Sequence, residues 1–538
     1  MLSILDLSRM HDSDDLAGFV GEIAAEDVVD AGRLVVTAVR TAGGRLKLIS
    51  WRVDPSGAIA RLRDSKDQAG VASSIDICKV GTSYVTAFRT ADGKLRLISW
   101  TVDDAGVITR GGDSGDAADA ATMIQIVALG DSTAVTACRT AAGDLRLIAW
   151  RLNADGSLTR VPKDGKYAGT VHGIQLLDVS QTAAPQSLIT VVRDASDKLK
   201  LLGWSVAADG ITPAGDSGYQ AGKASLIRAV LHKTGHVVTS VRDASGNLKL
   251  ITWMLEASGA ITRAGDSGAQ AGAIGDNALL SLGDGVVSAV RTGDGLLKLI
   301  AWKVAASGAV TRRGDSGRQA GAASLLTLVA GDGIADAAGR RVSIITALRT
   351  ASNDLKLISW GPSCLRLHFK VLTAPTISTS TMLASMRQVY ATAGIGVTLV
   401  STEDLNLPAL NDLDVGECIR GSPTAEQDQL FAYRANAETL DIVVYFVRST
   451  VPPLNGCASH PSGQPGAVVA QWASQWTMAH EVGHVLGLRH IHDNDRLMTG
   501  NGAAGYGTDL ITNPPPDLVA SEVGTMQGSR LSRPCGQD

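Results

Sequence analysis

The chain is poor in aromatic residues, only 4%, and holds six cysteines in 538 residues. The cysteines at 78, 138, 364, 418, 457 and 535 show no paired Cys-x-x-Cys spacing, which excludes a four-cysteine structural zinc site. Positive charge is not in surplus: Lys plus Arg total 49 against 53 Asp plus Glu, a net of −4. Without a basic run, a nucleic-acid partner has no electrostatic footing. No apolar run reaches the ~18–20 residues that a membrane-spanning helix needs. The stretch Met1–Arg9 has no charged lead followed by an apolar segment, so it does not read as a secretory signal as written. Proline is scarce in the first two thirds. Eleven of 16 lie in residues 364–538, together with six of ten histidines and four of six cysteines. This asymmetry divides the chain near residue 362 into two dissimilar parts.

What the first part has is glycine and repetition. Glycine totals 59 in the chain, which suggests many tight turns. One phrase, beginning as Arg40-Thr-Ala-Gly-Gly-Arg-Leu-Lys-Leu-Ile-Ser-Trp51, recurs seven times and ends at Trp51, Trp100, Trp150, Trp204, Trp253, Trp302 and Trp360. An Arg stands 11 residues before each Trp and a Lys or Arg four before it. A period near 50 residues without helical patterning predicts a β-propeller, one four-stranded sheet per repeat. In the fifth repeat the strands are expected at Ser225–Val230, Val237–Val241, Leu248–Met254 and 259–263. The seventh repeat stops at Trp360 and lacks a fourth strand. Residues 6–18 align without gaps on residues 260–272, so a strand over about 3–10 is expected to complete the last blade and close the ring.

The repeated Trp invites a sugar-stacking role, but one Trp per blade at a fixed strand position reads first as packing. The Arg before it is expected to stack on the ring or to pair with an acid. The Asp-Ser-Gly loops at Asp113, Asp216, Asp266 and Asp315 read as turn chemistry, and Ca²⁺ there has no further ligand set to support it. The repeats resemble those of bacterial seven-bladed propellers used for adhesion or lectin-like binding, which implies a protein or cell-surface glycan as partner.

From Cys364 strands and helices alternate. Strands are expected at Leu365–Leu372, Val397–Ser401, Leu440–Val447 and Ala467–Gln471, and helices at Thr381–Ala393, Ala425–Arg434 and Ser474–Leu488. The result is a mixed or mostly parallel sheet covered by helices. The last helix carries His480-Glu481-Val-Gly-His484-Val-Leu-Gly487-Leu-Arg-His490. Residues four apart share a helical face, so His480 and His484 can reach one metal ion. Gly487 can turn the chain sharply and return His490 as a third ligand. Three imidazoles leave the fourth position of Zn²⁺ open, the arrangement of a catalytic rather than a structural site. Glu481 is placed to act as general base.

This motif, followed by Leu497-Met498-Thr499, resembles the metzincin clan of zinc endopeptidases. The resemblance implies that Met498 is the Met-turn residue beneath the metal. It also implies that the strand before the active-site helix, Ala467-Val468-Val469-Ala470, binds substrate as an added antiparallel strand. Tyr506 is a candidate for transition-state support. Ile491 follows the third His where several metzincin families carry a polar residue or Pro. His492 is out of register as a ligand, Asp493 and Asp495 are expected as loop acids, and His368 and His460 as ordinary strand or surface residues. Cys78 and Cys138 are expected as buried thiols. The other four allow three pairings, of which Cys364–Cys535 and Cys418–Cys457 are favoured. Two disulfides point to an extracellular setting.

The sequence therefore predicts a multi-domain chain: an all-β seven-bladed propeller over residues 1–362, then an α/β metzincin-like zincin domain over 363–538. The expected activity is that of a secreted, monomeric Zn²⁺ endopeptidase acting on protein or peptide. The alternative is an adhesin or lectin-like propeller with an idle or regulatory second domain.

Overall fold

The computed structural model describes residues 8–534 apart from 15–16, 28–33, 56, 67, 117, 269, 318–319, 332–341, 362 and 501–510. Two compact units emerge, one holding Arg9–Gly361 and the other Pro362–Asp538.

In the first unit each of the first six repeats forms four antiparallel strands. The fifth shows Ala224–Leu231, Val237–Asp243, Leu248–Leu255 and Ile261–Asp266 hydrogen-bonded in that order. Apolar residues on both faces of the middle strands are buried, because each blade packs against two neighbours. All seven Trp side chains are fully buried. Each indole N–H donates to a hydroxyl 14 residues earlier on the neighbouring strand: Thr37, Thr86, Thr136, Thr190, Thr239, Ser288 and Thr346, at 2.8–3.0 Å. That hydroxyl is what lets so large a ring with a polar edge lie in an apolar interface.

The cation four residues before the Trp is also used within the blade. Arg96 pairs with Asp113, Lys200 with Asp216 and Lys249 with Asp266, the acids of the Asp-Ser-Gly loops. The loop serine accepts a strand N–H, as Ser267 does from Leu250 at 3.1 Å and Ser316 from Leu299 at 3.1 Å. The loops are thus turn chemistry. The Arg that begins each phrase is used differently from blade to blade: Arg193 pairs with Asp197 at 2.9 Å, as an acid partner was expected, while others bond neighbouring main chain. Arg40 donates to the Ala72 carbonyl at 3.0 Å and Arg193 to that of His172 at 2.9 Å.

The ring closes as expected, with the N-terminal strand completing the last blade. Ser8–Asp12, overlapping the expected span and running two residues beyond it, is the outer strand beside Leu355–Gly361, in a sheet completed by Ile344–Arg349 and Ser324–Ala330. Residues 3–7 lie outside the described residues. Ser13 accepts from the Leu357 N–H at 3.0 Å, and Asp12 faces Lys356 at 3.9 Å. These contacts match the serine and aspartate of the other blades, as the gapless alignment of residues 6–18 on 260–272 predicts.

In the second unit a sheet runs in the order Ile395–Asp404, Ser363–Val371, Ile442–Val447, Gly466–Ala470, Gly456–Cys457. The first four strands are parallel and the last antiparallel. The Thr379–Thr392 helix begins at Ser378, whose side chain accepts the Thr381 N–H at 3.2 Å. It buries Met382, Met386, Val389 and Tyr390 against the sheet. Tyr390 donates its hydroxyl to the Ala479 carbonyl at 2.8 Å, tying this helix to the one that carries the histidines.

Candidate metal centre

The Thr477–Val485 helix turns Met478 and Val482 into the core and presents His480 and His484 on its other side. Gly487, at φ +111°, stops the helix, and the Leu488 N–H returns to the Gly483 carbonyl at 2.9 Å. The chain then brings His490 back. The three Nε2 atoms stand 2.9, 3.1 and 3.2 Å apart. These three side chains form the one cluster of potential metal ligands among the described residues.

Their tautomers can be inferred. His480 Nδ1 lies 2.8 Å from the Leu497 carbonyl and His484 Nδ1 3.0 Å from that of Leu488. A carbonyl only accepts, so each Nδ1 carries the proton and each Nε2 turns a lone pair inward. Burial, helped by the neighbouring imidazoles, lowers the His480 pKa to about 3. Burial above all, with smaller effects of His490 and Arg420, lowers that of His484 to about 4. The lone pairs of His480 and His484, 3.2 Å apart, repel one another unless a cation sits between them. A tetrahedral ion about 2.0–2.1 Å from each nitrogen holds them roughly 3.3 Å apart, so the donor set fits Zn²⁺.

Glu481 is 7% exposed, and burial alone raises its carboxyl pKa to about 8. Gly456 of the outer strand lies against it: a Cβ there would stand 2.6 Å from Glu481 Cγ. Met498 is fully buried beneath the helix, where a Cβ on Gly483 would stand 2.7 Å from its Sδ. Gly500 lies close beneath His490 in the same way. The Met498 segment is held to the third histidine by the Ile491 N–H bonding the Met498 carbonyl at 3.0 Å. Gly456, Gly483 and Gly500 are the site residues that sequence reading missed. A glycine between the two motif histidines was the one signal available.

The Ala467–Ala470 strand is not the substrate edge. It is buried throughout and hydrogen-bonded on both sides, to Ile442–Val447 and to Gly456–Cys457. The outermost strand here is Gly456–Cys457, too short and too polar in its surroundings to be read from periodicity. Tyr506 lies outside the described residues. His492 is exposed and absent from the cluster. Asp493 and Asp495 serve their loop, accepting the Asp495 N–H at 3.0 Å and the Thr512 hydroxyl at 2.8 Å.

His368 is neither exposed nor idle. It is fully buried and pairs with Asp441 at 2.9 Å, where Arg366 and Arg533 also converge. Cys418–Cys457 is a disulfide, and Cys78 and Cys138 are buried free thiols. Cys364 is disulfide-bonded. Cys535 lies outside the described residues.

No protein-family profile and no curated protein matches the chain. Among solved structures it is similar to Sqt1 of Saccharomyces cerevisiae, at 12% identity and a TM-score of 0.41, over 64% of this chain and 97% of that one. It is also similar to a chain of the mitotic checkpoint complex, at 14% identity and a TM-score of 0.40, over 65% and 92%. The β-propeller assignment rests on the strand pairing of the chain itself.

Proposed function

We propose that the protein is a zinc-dependent endopeptidase whose second unit is metzincin-like and whose propeller binds a substrate or a surface outside the cell. The observation that carries this reading is the convergence of three imidazole Nε2 atoms beside a buried glutamate. His480, His484 and His490 would hold the ion. Bound there, zinc supplies Lewis acidity to the scissile carbonyl and acidifies water.

The remaining chemistry belongs to the chain. Glu481, held by Gly456 and lacking solvent around it, takes the proton of the attacking water and delivers it to the leaving amine. Its raised pKa favours keeping the proton between those two events, while a cation nearby draws the value back towards neutrality. The Gly456–Cys457 strand offers its main chain to an extended substrate. Met498 supports the histidines from below.

Glu481→Ala is expected to abolish chelator-sensitive peptide hydrolysis while zinc remains bound at one ion per chain. Full activity in that variant would remove the assignment.

A second reading, a binding propeller with an idle second unit, is favoured by one feature. An axial channel of about 400 Å³ is lined by polar groups from the first strands of several blades, among them Gln125, Gln175, Arg228 and Asp276. Hydrolysis by wild type and its loss in Glu481→Ala separate the two.

A further inference from the structure

A second cavity, of about 380 Å³, opens within the second unit beside the histidine helix. Val485 and Leu486, directly after the ligand His484, form one wall, and His460 lies on another. Arg420 and Arg530 face it from two further segments. No lining residue is acidic. Neither arginine has a carboxylate or main-chain partner among the described residues, whereas Arg366, Arg448, Arg496 and Arg533 of the same unit pair with acids and Arg387 and Arg434 bond main-chain carbonyls. Two unpaired guanidinium groups at one concave site are poised for an anion of carboxylate geometry.

The walls are built rather than incidental. The Cys418–Cys457 disulfide fastens the Arg420 loop to the outer strand. Ser459 donates to the Ile419 carbonyl at 2.8 Å, and Gln427, fully buried, donates to that of Ser459 at 3.2 Å. His460 keeps its Nδ1 on the Pro461 carbonyl at 2.9 Å. Burial first, then the charges of Arg420, Arg434 and Arg530, hold it below its usual pKa, so it adds a neutral polar edge.

Position gives the direction. A peptide pairing antiparallel to Gly456–Cys457, with its reacting bond beside Glu481, runs its N-terminal side towards Cys457 and on to His460. At about 3.3 Å per extended residue, the cavity is reached within about four residues of the bond.

We infer that this cavity is a specificity pocket that takes the side-chain carboxylate of a Glu or Asp on the N-terminal side of the scissile bond. The inference rests on the endopeptidase reading. Its test uses the zinc-loaded full chain and a set of peptides that differ only in one Glu or Gln, scanned across four positions on each side of the cleaved bond. A Glu on the N-terminal side is expected to raise kcat/KM about tenfold over Gln, the effect of one charge-assisted contact. Arg420→Gln and Arg530→Gln, each checked for an unchanged melting curve, should bring that ratio towards one. Equal rates for Glu and Gln, or a preference only on the C-terminal side, would overturn the inference.

A binding arm distinguishes its failure from that of the activity itself. If no peptide is cleaved, fluorescence anisotropy of the same labelled peptides on Glu481→Ala still reads the pocket. Arg420-dependent preference for Glu supports it, and indifference to the charge refutes it.

Discussion

At the scale of single residues, the two halves of the molecule use polar atoms in opposite ways. In the propeller they are spent on structure. The Trp150 indole N–H has one partner, the Thr136 hydroxyl, at 2.9 Å in a fully buried setting. Thr136→Val keeps the shape and removes the acceptor, so it is expected to lower stability by about 1–2 kcal/mol, read as a shift in the denaturant midpoint. In the second unit polar atoms are left in tension: three imidazole Nε2 atoms face one another, and Glu481 is a carboxyl with no charge beside it. The sequence showed both patterns unequally. HExxHxxGxxH was legible because helical geometry turns spacing directly into proximity. The Trp–Thr pairs were not, since strand pairing joins residues 14 apart only once the register is known.

At the scale of elements, long patterned segments were readable and short ones were not. The Thr379–Thr392 helix and the Ile442–Val447 strand appear within a few residues of expectation, because each buries a full apolar face. Gly456–Cys457 was missed: two residues carry no periodicity, and tertiary contact with Glu481 and Val469 defines the strand. The same holds for the β-bulges of the first strands. Ser74, Met123, Leu226 and Leu325 adopt φ of 49–53° there, in four blades, although none is glycine. No composition signal marks those positions; the shift in register does. The closing strand belongs at this scale too. Deletion of residues 1–18 removes Ser8–Asp12 and its bonds to the last blade, and is expected to lower the melting temperature of the propeller transition clearly in calorimetry. An unchanged transition would show that closure adds no stability.

At the scale of the whole molecule, the second unit has one electrostatic hub. Asp441 is fully buried, and burial alone would raise its pKa. The Glu438 N–H, His368 and the charges of Arg366 and Arg533 outweigh that and hold it below the usual carboxylate value. A carboxyl depressed in the folded state adds stability above its unfolded pKa of about 3.9, and that stability is lost as pH falls through the lower folded value. The second unit is therefore expected to loosen on acidification below about pH 4, and Asp441→Asn to flatten that dependence in urea titrations at pH 7 and pH 3. Arg533, beside the Arg533–Pro534 strand pairing on Ser363–Cys364, makes the hub a clasp between the two ends of this unit.

The ring closure has a consequence for how the protein is made. Ser8–Asp12 leaves the ribosome well ahead of its partner strand, Leu355–Gly361, which follows about 345 residues later. At roughly 5–20 residues per second, that strand waits on the order of 20–70 seconds with its edge unpaired. The first six blades can each form from contiguous sequence, but the seventh, which closes the ring, cannot. Synthesis order thus sets the ring's last event, and its first-made strand is the last to be used.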